Sequence, residues 1–222
     1  MKLFDIIGPV MIGPSSSHTA GAVKIGLIAR KLLGETPCKA DIKLHGSFAM
    51  TGAGHGTDRA IVAGLLGIYP DDARIPDSFS IAQREGLSFD IDITHIPNAH
   101  PNSTLLTLEG VNGRKIEIVA SSLGGGRILV SRIDGIATRF SGDENTLIVH
   151  NHHDRPGHVA QVTAALASHR INIATMQLHR HTKGGHAVMV IECDDPIPAE
   201  LVNHLKHMEG IVKVTYLNQE KQ

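Results

Sequence analysis

The chain has 222 residues, 41% hydrophobic and 19% charged, with 21 Lys and Arg against 22 Asp and Glu for a formal net charge of −1. This composition supports one large or two ordinary packed domains and excludes wholesale disorder. The near-even charge does not favour nucleic acid or an acidic membrane surface, and 3% aromatic residues with no Trp argue further against a base-stacking platform.

In chain order, the first motif is GPSSSHT, Gly13 to Thr19. Ala22, Ile25, Ala29 and Leu32 then recur at helical spacing, with Gly34 as a stop. Ala40, Ile42 and Leu44 alternate with Asp41, Lys43 and His45 as a strand. The glycine-rich GAGHGTD reads as a turn into a second helix, capped by Thr57 or Asp58, with Ile61 and Leu65 on one face. Residues 70–86 are polar and carry prolines, so a connection is expected. Leu87, Phe89, Ile91 and Ile93 alternate with polar residues as a half-buried strand. Strands over 104–110 and 114–120 flank Asn112-Gly113, a hairpin signal because both residues tolerate positive φ. SSLGGG interrupts the pattern, and RILVSRI resumes it as the last strand of this half.

A boundary falls near FSGDEN, giving domains 1–142 and 146–222. Beyond it the pattern reads strand (Thr146–Val149), helix (Gly157–Ser168), strand (Ile171–Leu178), strand (Ala187–Glu192), helix (Pro198–Met208), strand (Val212–Leu217). Val159, Val162 and Leu166 mark the first helix, and TKGG is the hairpin loop between the middle strands. This order is the split βαβ, ferredoxin-like arrangement. The fold class is therefore α+β throughout: a mixed N-terminal domain followed by a βαββαβ domain. No apolar run reaches the ~20 residues that span a bilayer. Asp5 breaks the N-terminal apolar stretch that a secretion signal would need. A cytoplasmic location is the expectation.

LIVHNHHDRPGHVAQVTAALASHRINIATMQLHR resembles the opening of an ACT domain. The resemblance implies that paired copies hold an amino acid at the turn before the helix. Gly157 permits close backbone approach, and the helix start offers N–H groups to a carboxylate. Asn151 and Asp154 are candidates to meet an ammonium or hydroxyl, with Pro156, Gly157 and His158 completing the regulatory site. DRPG equally serves as a plain turn, and ACT domains also act as pairing modules without a ligand.

GPSSSHT, HGSFAMTGAGHGTDRA, HPNS and SSLGGGRI occur in that order. Together they resemble the beta chain of the two-chain, iron–sulfur-dependent L-serine dehydratases of bacteria. The similarity extends through the ACT-like tail. A related domain binds substrate allosterically in some D-3-phosphoglycerate dehydrogenases. The resemblance implies an L-serine ammonia-lyase reaction giving pyruvate and ammonia. It further implies a [4Fe-4S] cluster ligated by the cysteines of an alpha-chain partner. Two lone cysteines here, Cys38 and Cys193, agree with that division.

Ser15, Ser16, Ser17 and Thr19 supply hydroxyls suited to a carboxylate. A capped helix uses one hydroxyl, and four around His18 exceed that need. His18 and His55 are candidate proton-transfer groups, because imidazole titrates near ~6.5. His55, between Gly54 and Gly56, is favoured as the base, with His18 a polariser or carboxylate contact; a surface-loop role for His55 is the alternative. Ser47 and Thr51 are candidate substrate or supporting contacts, and Asp58 a cap. His100 and Asn102 line up with a motif of the resembled family. In SSLGGG, Ser121, Gly124 and Gly125 form either an amide cradle for an anion or a flexible turn. The remaining histidines, among His150, His152, His153, His179, His181, His204 and His207, lack the companions of a zinc site, so no metal is expected on this chain.

Three functions compete: the enzyme subunit, a stand-alone serine-sensing module, and a fragment of a phosphoglycerate dehydrogenase. No G-x-G-x-x-G follows a strand, which weakens the third. A docking cysteine-rich companion separates the first two.

Overall fold

The computed structural model describes residues 10–218, in two compact units, one up to Gly135 and one from Ile136. In the first, a turn of π-helix at Ser16–Ala20 runs into helix α1 (Gly21–Leu33). Ala22, Ile25, Ala29 and Leu32 are buried, as their spacing requires. Gly34 ends the helix at φ 76°, its N–H bonded to Arg30 O. Strand β1 (Pro37–Gly46) follows, then helices α2 (Ser47–His55), α3 (Thr57–Leu65) and α4 (Ser78–Glu85). Strands β2 (Ser88–Ile93), β3 (Asn102–Gly110), β4 (Lys115–Gly124) and β5 (Arg127–Ile133) complete this unit. The strands lie in the order β2-β1-β3-β4-β5. β2 runs parallel to β1, and the other neighbours are antiparallel. α1 packs on β4, and α3 packs on α1.

Several elements differ from the pattern reading. The expected GAGHGTD turn is mostly helix: Ser47–His55 are helical and only Gly56, at φ 67°, turns the chain. Packing overrides the poor helix propensity of Gly52 and Gly54. Phe48 is fully buried, and Gly52 sits where an added Cβ would be 3.3 Å from Leu44 Cδ1. Neither Thr57 nor Asp58 caps α3; Gly56 holds the N-cap position without a side-chain bond. The expected 70–86 connection contains a 3-10 turn at Ile75–Asp77 and α4. Pro76 sits in the first turn, where its missing N–H is harmless, and Ile81 and Ala82 are buried. β2 is an edge strand, with Ile93 74% exposed. The hairpin loop has three residues, because Glu109 pairs with Lys115 and Gly110 N–H bonds Arg114 O. Ser121 to Gly124 belong to β4, so SSLGGG breaks the strand only at its last two glycines.

The second unit opens with β6 (Ile136–Phe140), a strand beyond the expected last one. Then come β7 (Asn145–Asn151), α5 (His158–Ser168), β8 (Ile173–Arg180), β9 (Ala187–Cys193), α6 (Ala199–Lys206) and β10 (Ile211–Leu217). Sheet order β10-β7-β9-β8, all antiparallel, is the expected ferredoxin-like topology. Leu147, Val149, Met189, Ile191 and Val214 meet Val162, Leu166, Leu201 and Leu205 in one core. Val159, expected in register, is 37% exposed. No helix among the described residues is long and apolar enough to cross a membrane.

Candidate functional site

Ser15 has extended backbone, and its Oγ accepts the His18 N–H at 3.2 Å, so it caps the π-turn. The same oxygen lies 3.4 Å from His18 Nδ1. The His18 ring therefore points away from the turn and towards α2. There its Nε2 is 3.0 Å from Thr51 Oγ1 and 3.3 Å from Ser47 Oγ. The Phe48 ring meets the imidazole edge-on at 5.3 Å, and the His55 ring lies 5.0 Å from it. Ser47, Thr51 and His55 are spaced by four, so α2 presents all three on one face. His55 is exposed, and the glycines on either side have open space where a Cβ would stand.

Burial, and after it the neighbouring His55, hold the His18 imidazole below its ordinary value against a smaller upward pull from Ser47. At neutral pH His18 is thus an uncharged ring, able to accept a proton.

The other motifs close around this centre. Pro101 O accepts the Ser47 N–H at 2.8 Å, so HPNS braces the start of α2. Gly46 permits that approach, since an added Cβ would come within 2.5 Å of the same oxygen. β4 brings Ser122 against Gly21, where a Cβ would lie 2.1 Å from Ser122 Oγ. Gly124 faces Ser17, whose Oγ would be 3.6 Å from a Cβ there. Gly124, Gly125 and Gly126 all have positive φ, which explains three consecutive glycines.

Several candidates are otherwise engaged. Ser121 Oγ is buried 2.7 Å from Ser103 Oγ, inside the β3–β4 pair. Thr19 is buried against Gly13, away from solvent. Exposed His100 uses Nδ1 to accept the Asn102 N–H at 3.1 Å, shaping the turn into β3. Ser16 is half-buried, and its carbonyl accepts the Gly21 N–H. Ser122, packed against Gly21, helps build the site and stands outside the expected set, beside the buried Phe48 and Ser103. The four-residue spacing of Ser47, Thr51 and His55 is the signal of this helix face in the sequence, and the interleaved glycines mask it.

In the second unit, Gly157 stands before α5 at φ 100°. Asn151 is buried, with Nδ2 2.7 Å from His158 Nδ1 and Oδ1 without a partner. Asp154 is ion-paired with Arg180. Pro156 is exposed.

Among the described residues no group of three or more His, Cys, Asp or Glu is placed to hold a metal ion. Cys38 is half-buried on β1. Cys193 is buried on β9, its thiol pushed up to about 11 by burial and then by Asp194 and Asp195. These residues do not fit an iron–sulfur cluster.

The chain is thus an N-terminal α+β unit that carries a hydroxyl-ringed imidazole pair, followed by a ferredoxin-like unit. A family profile for the serine dehydratase beta chain matches residues 2–86, and one for the ACT domain matches residues 145–208. The chain is 40% identical to the probable L-serine dehydratase beta chain of Bacillus subtilis, over 96% of each chain. It is 36% identical to the L-serine dehydratase beta chain of Peptoniphilus asaccharolyticus, again over 96% of each. A D-3-phosphoglycerate dehydrogenase of Methanocaldococcus jannaschii is 31% identical over 72% of this chain and 30% of its own length. The chain belongs to the serine dehydratase beta-chain family.

Proposed function

We propose that the first unit forms the substrate-facing wall of an L-serine ammonia-lyase, completed by an alpha chain. The supporting observation is the His18–His55 pair, 5.0 Å apart and ringed by Ser15, Ser47 and Thr51. Such a wall meets each demand of the amino acid. Hydroxyls of Ser16, Ser17 and Ser47 bind its carboxylate, and Ser15 is turned to the His18 ring. In this reading His55, exposed between bare glycines, accepts the α-proton, with His18 beside it. Loss of the β-hydroxyl then gives an enamine. Its imine form takes up water and releases ammonia, leaving pyruvate.

The [4Fe-4S] cluster, which would act as Lewis acid on the departing hydroxyl, belongs in this reading to the alpha chain, whose cysteines ligate it. For the second unit we propose pairing with a second copy and amino-acid binding at the turn from Asn151 through Asp154, Pro156 and Gly157 to His158. The working location is the cytoplasm.

Reconstitution tests the reading. The chain alone should form no pyruvate from L-serine, and the chain co-expressed with its cysteine-bearing companion should form it under anaerobic conditions. Tight, stoichiometric serine binding by the lone chain, with no companion recovered from the host, would instead make it a sensor.

A further inference from the structure

The hydroxyl protons around His18 can be assigned one by one, and together they fix the ring. Thr51 Oγ1 donates to Ser47 O at 2.8 Å, the carbonyl one helical turn back. A hydroxyl carries a single proton, so towards His18 Nε2, 3.0 Å away, Thr51 Oγ1 acts as acceptor. Nε2 therefore carries hydrogen. Ser47 Oγ, 3.3 Å from Nε2, shares that N–H and keeps its own proton for a ligand. On the other side of the ring, Ser15 Oγ already accepts the His18 backbone N–H, so its proton is directed at Nδ1. The bonds run one way: Ser15 O–H to Nδ1, Nε2–H to Thr51, Thr51 O–H to the Ser47 carbonyl.

We infer that Thr51 is a positioning residue that locks His18 in the Nε2–H tautomer, so that Nδ1, turned towards Ser15, is the nitrogen that takes up a proton. The inference deepens the proposed role of His18 and assigns Thr51 to the ring rather than to the substrate. Proton uptake balances simply. The Ser15 hydroxyl passes its proton to the Nδ1 lone pair as it takes one from the ligand, so Ser15 ends neutral and the ring becomes an imidazolium. The Nε2–H bond to Thr51 is unchanged throughout. His55, 5.0 Å away, disfavours a long-lived cation and so favours passing the proton on.

Ring-nitrogen NMR of the 15N-labelled full chain at pH 7.5 tests this without any activity. Correlations lost in His18→Asn identify the ring among the 15 histidines. In the parent chain Nδ1 should resonate as an unprotonated nitrogen and Nε2 as a protonated one. In Thr51→Val both should move towards the averaged positions of exchanging tautomers, and Thr51→Ser should restore the parent shifts. A parent ring protonated at Nδ1 would overturn the inference, as would a folded Thr51→Val chain with unmoved nitrogens. If Thr51→Val fails to fold, the parent and Thr51→Ser spectra still decide the tautomer. In the complex with the companion chain, Thr51→Val should lower kcat at least about tenfold with KM held, and Thr51→Ser should recover it. Shifted nitrogens with an unchanged kcat would leave the tautomer standing and remove His18 from the chemistry.

Discussion

His150 shows how one side chain ties folding to pH. It lies on β7 opposite Lys213 of β10 and Val188 of β9. Burial, then Lys213, then His186 push its imidazole down to about 4. The unfolded ring, near 6.5, holds a proton that the folded ring refuses between those limits. Stability is therefore full above about 6.5 and is lost as pH falls towards 4, by up to about 3 kcal/mol at about 1.4 kcal/mol per unit. Urea titrations at pH 7.5 and 4.5 should show this loss, and His150→Gln should shrink it; equal pH slopes for both chains would refute the assignment. Legibility at this scale was uneven. Ser15, His18 and His55 stand in motifs that read plainly. The pairing of Ser121 with Ser103 did not, because it brings together hydroxyls 18 positions apart across the β3–β4 pair.

Helix α1 crosses α3 at two glycines. A Cβ on Gly26 would lie 2.3 Å from Ile61 O, and one on Gly64 would lie 2.1 Å from Val23 O. Each obstacle is backbone, so neither helix can yield by changing a rotamer. Gly26→Ala and Gly64→Ala should each destabilise the chain by about 2–3 kcal/mol or more, despite alanine's better helix propensity. Thermal unfolding reads this directly, and an unchanged or raised midpoint would contradict the close crossing. The crossing matters for the site because α1 continues the π-turn that carries His18. Helix α1 and strand β1 were legible from periodicity, which reports burial faithfully when one face is apolar. Helix α2 was not. Its anchor is the buried Phe48 and the Pro101 carbonyl at its start, contacts that no local pattern of glycines announces.

At the scale of the molecule, the chain folds as two compact units. The first gathers four sequence motifs, up to a hundred residues apart, around one imidazole pair. The second repeats a known βαββαβ arrangement, with its polar turn before α5. The βαββαβ order of the second half was legible from its alternating strand and helix patterns, whereas the boundary expected near FSGDEN lies beyond the Gly135/Ile136 division of the structure. The ring of contacts around His18 was not legible, since it joins residues 29 and 33 positions apart. Relatives named as L-serine dehydratase beta chains align across 96% of the chain, so they span both units.

The central claim is that the His18–His55 pair handles the protons of the reaction. Pyruvate formation by the anaerobic complex, with His18→Ala and His55→Ala introduced singly, measures it most directly. The account predicts that each substitution lowers kcat by about 10²–10⁴-fold in complexes that assemble normally. Parent-like kcat in both would contradict it.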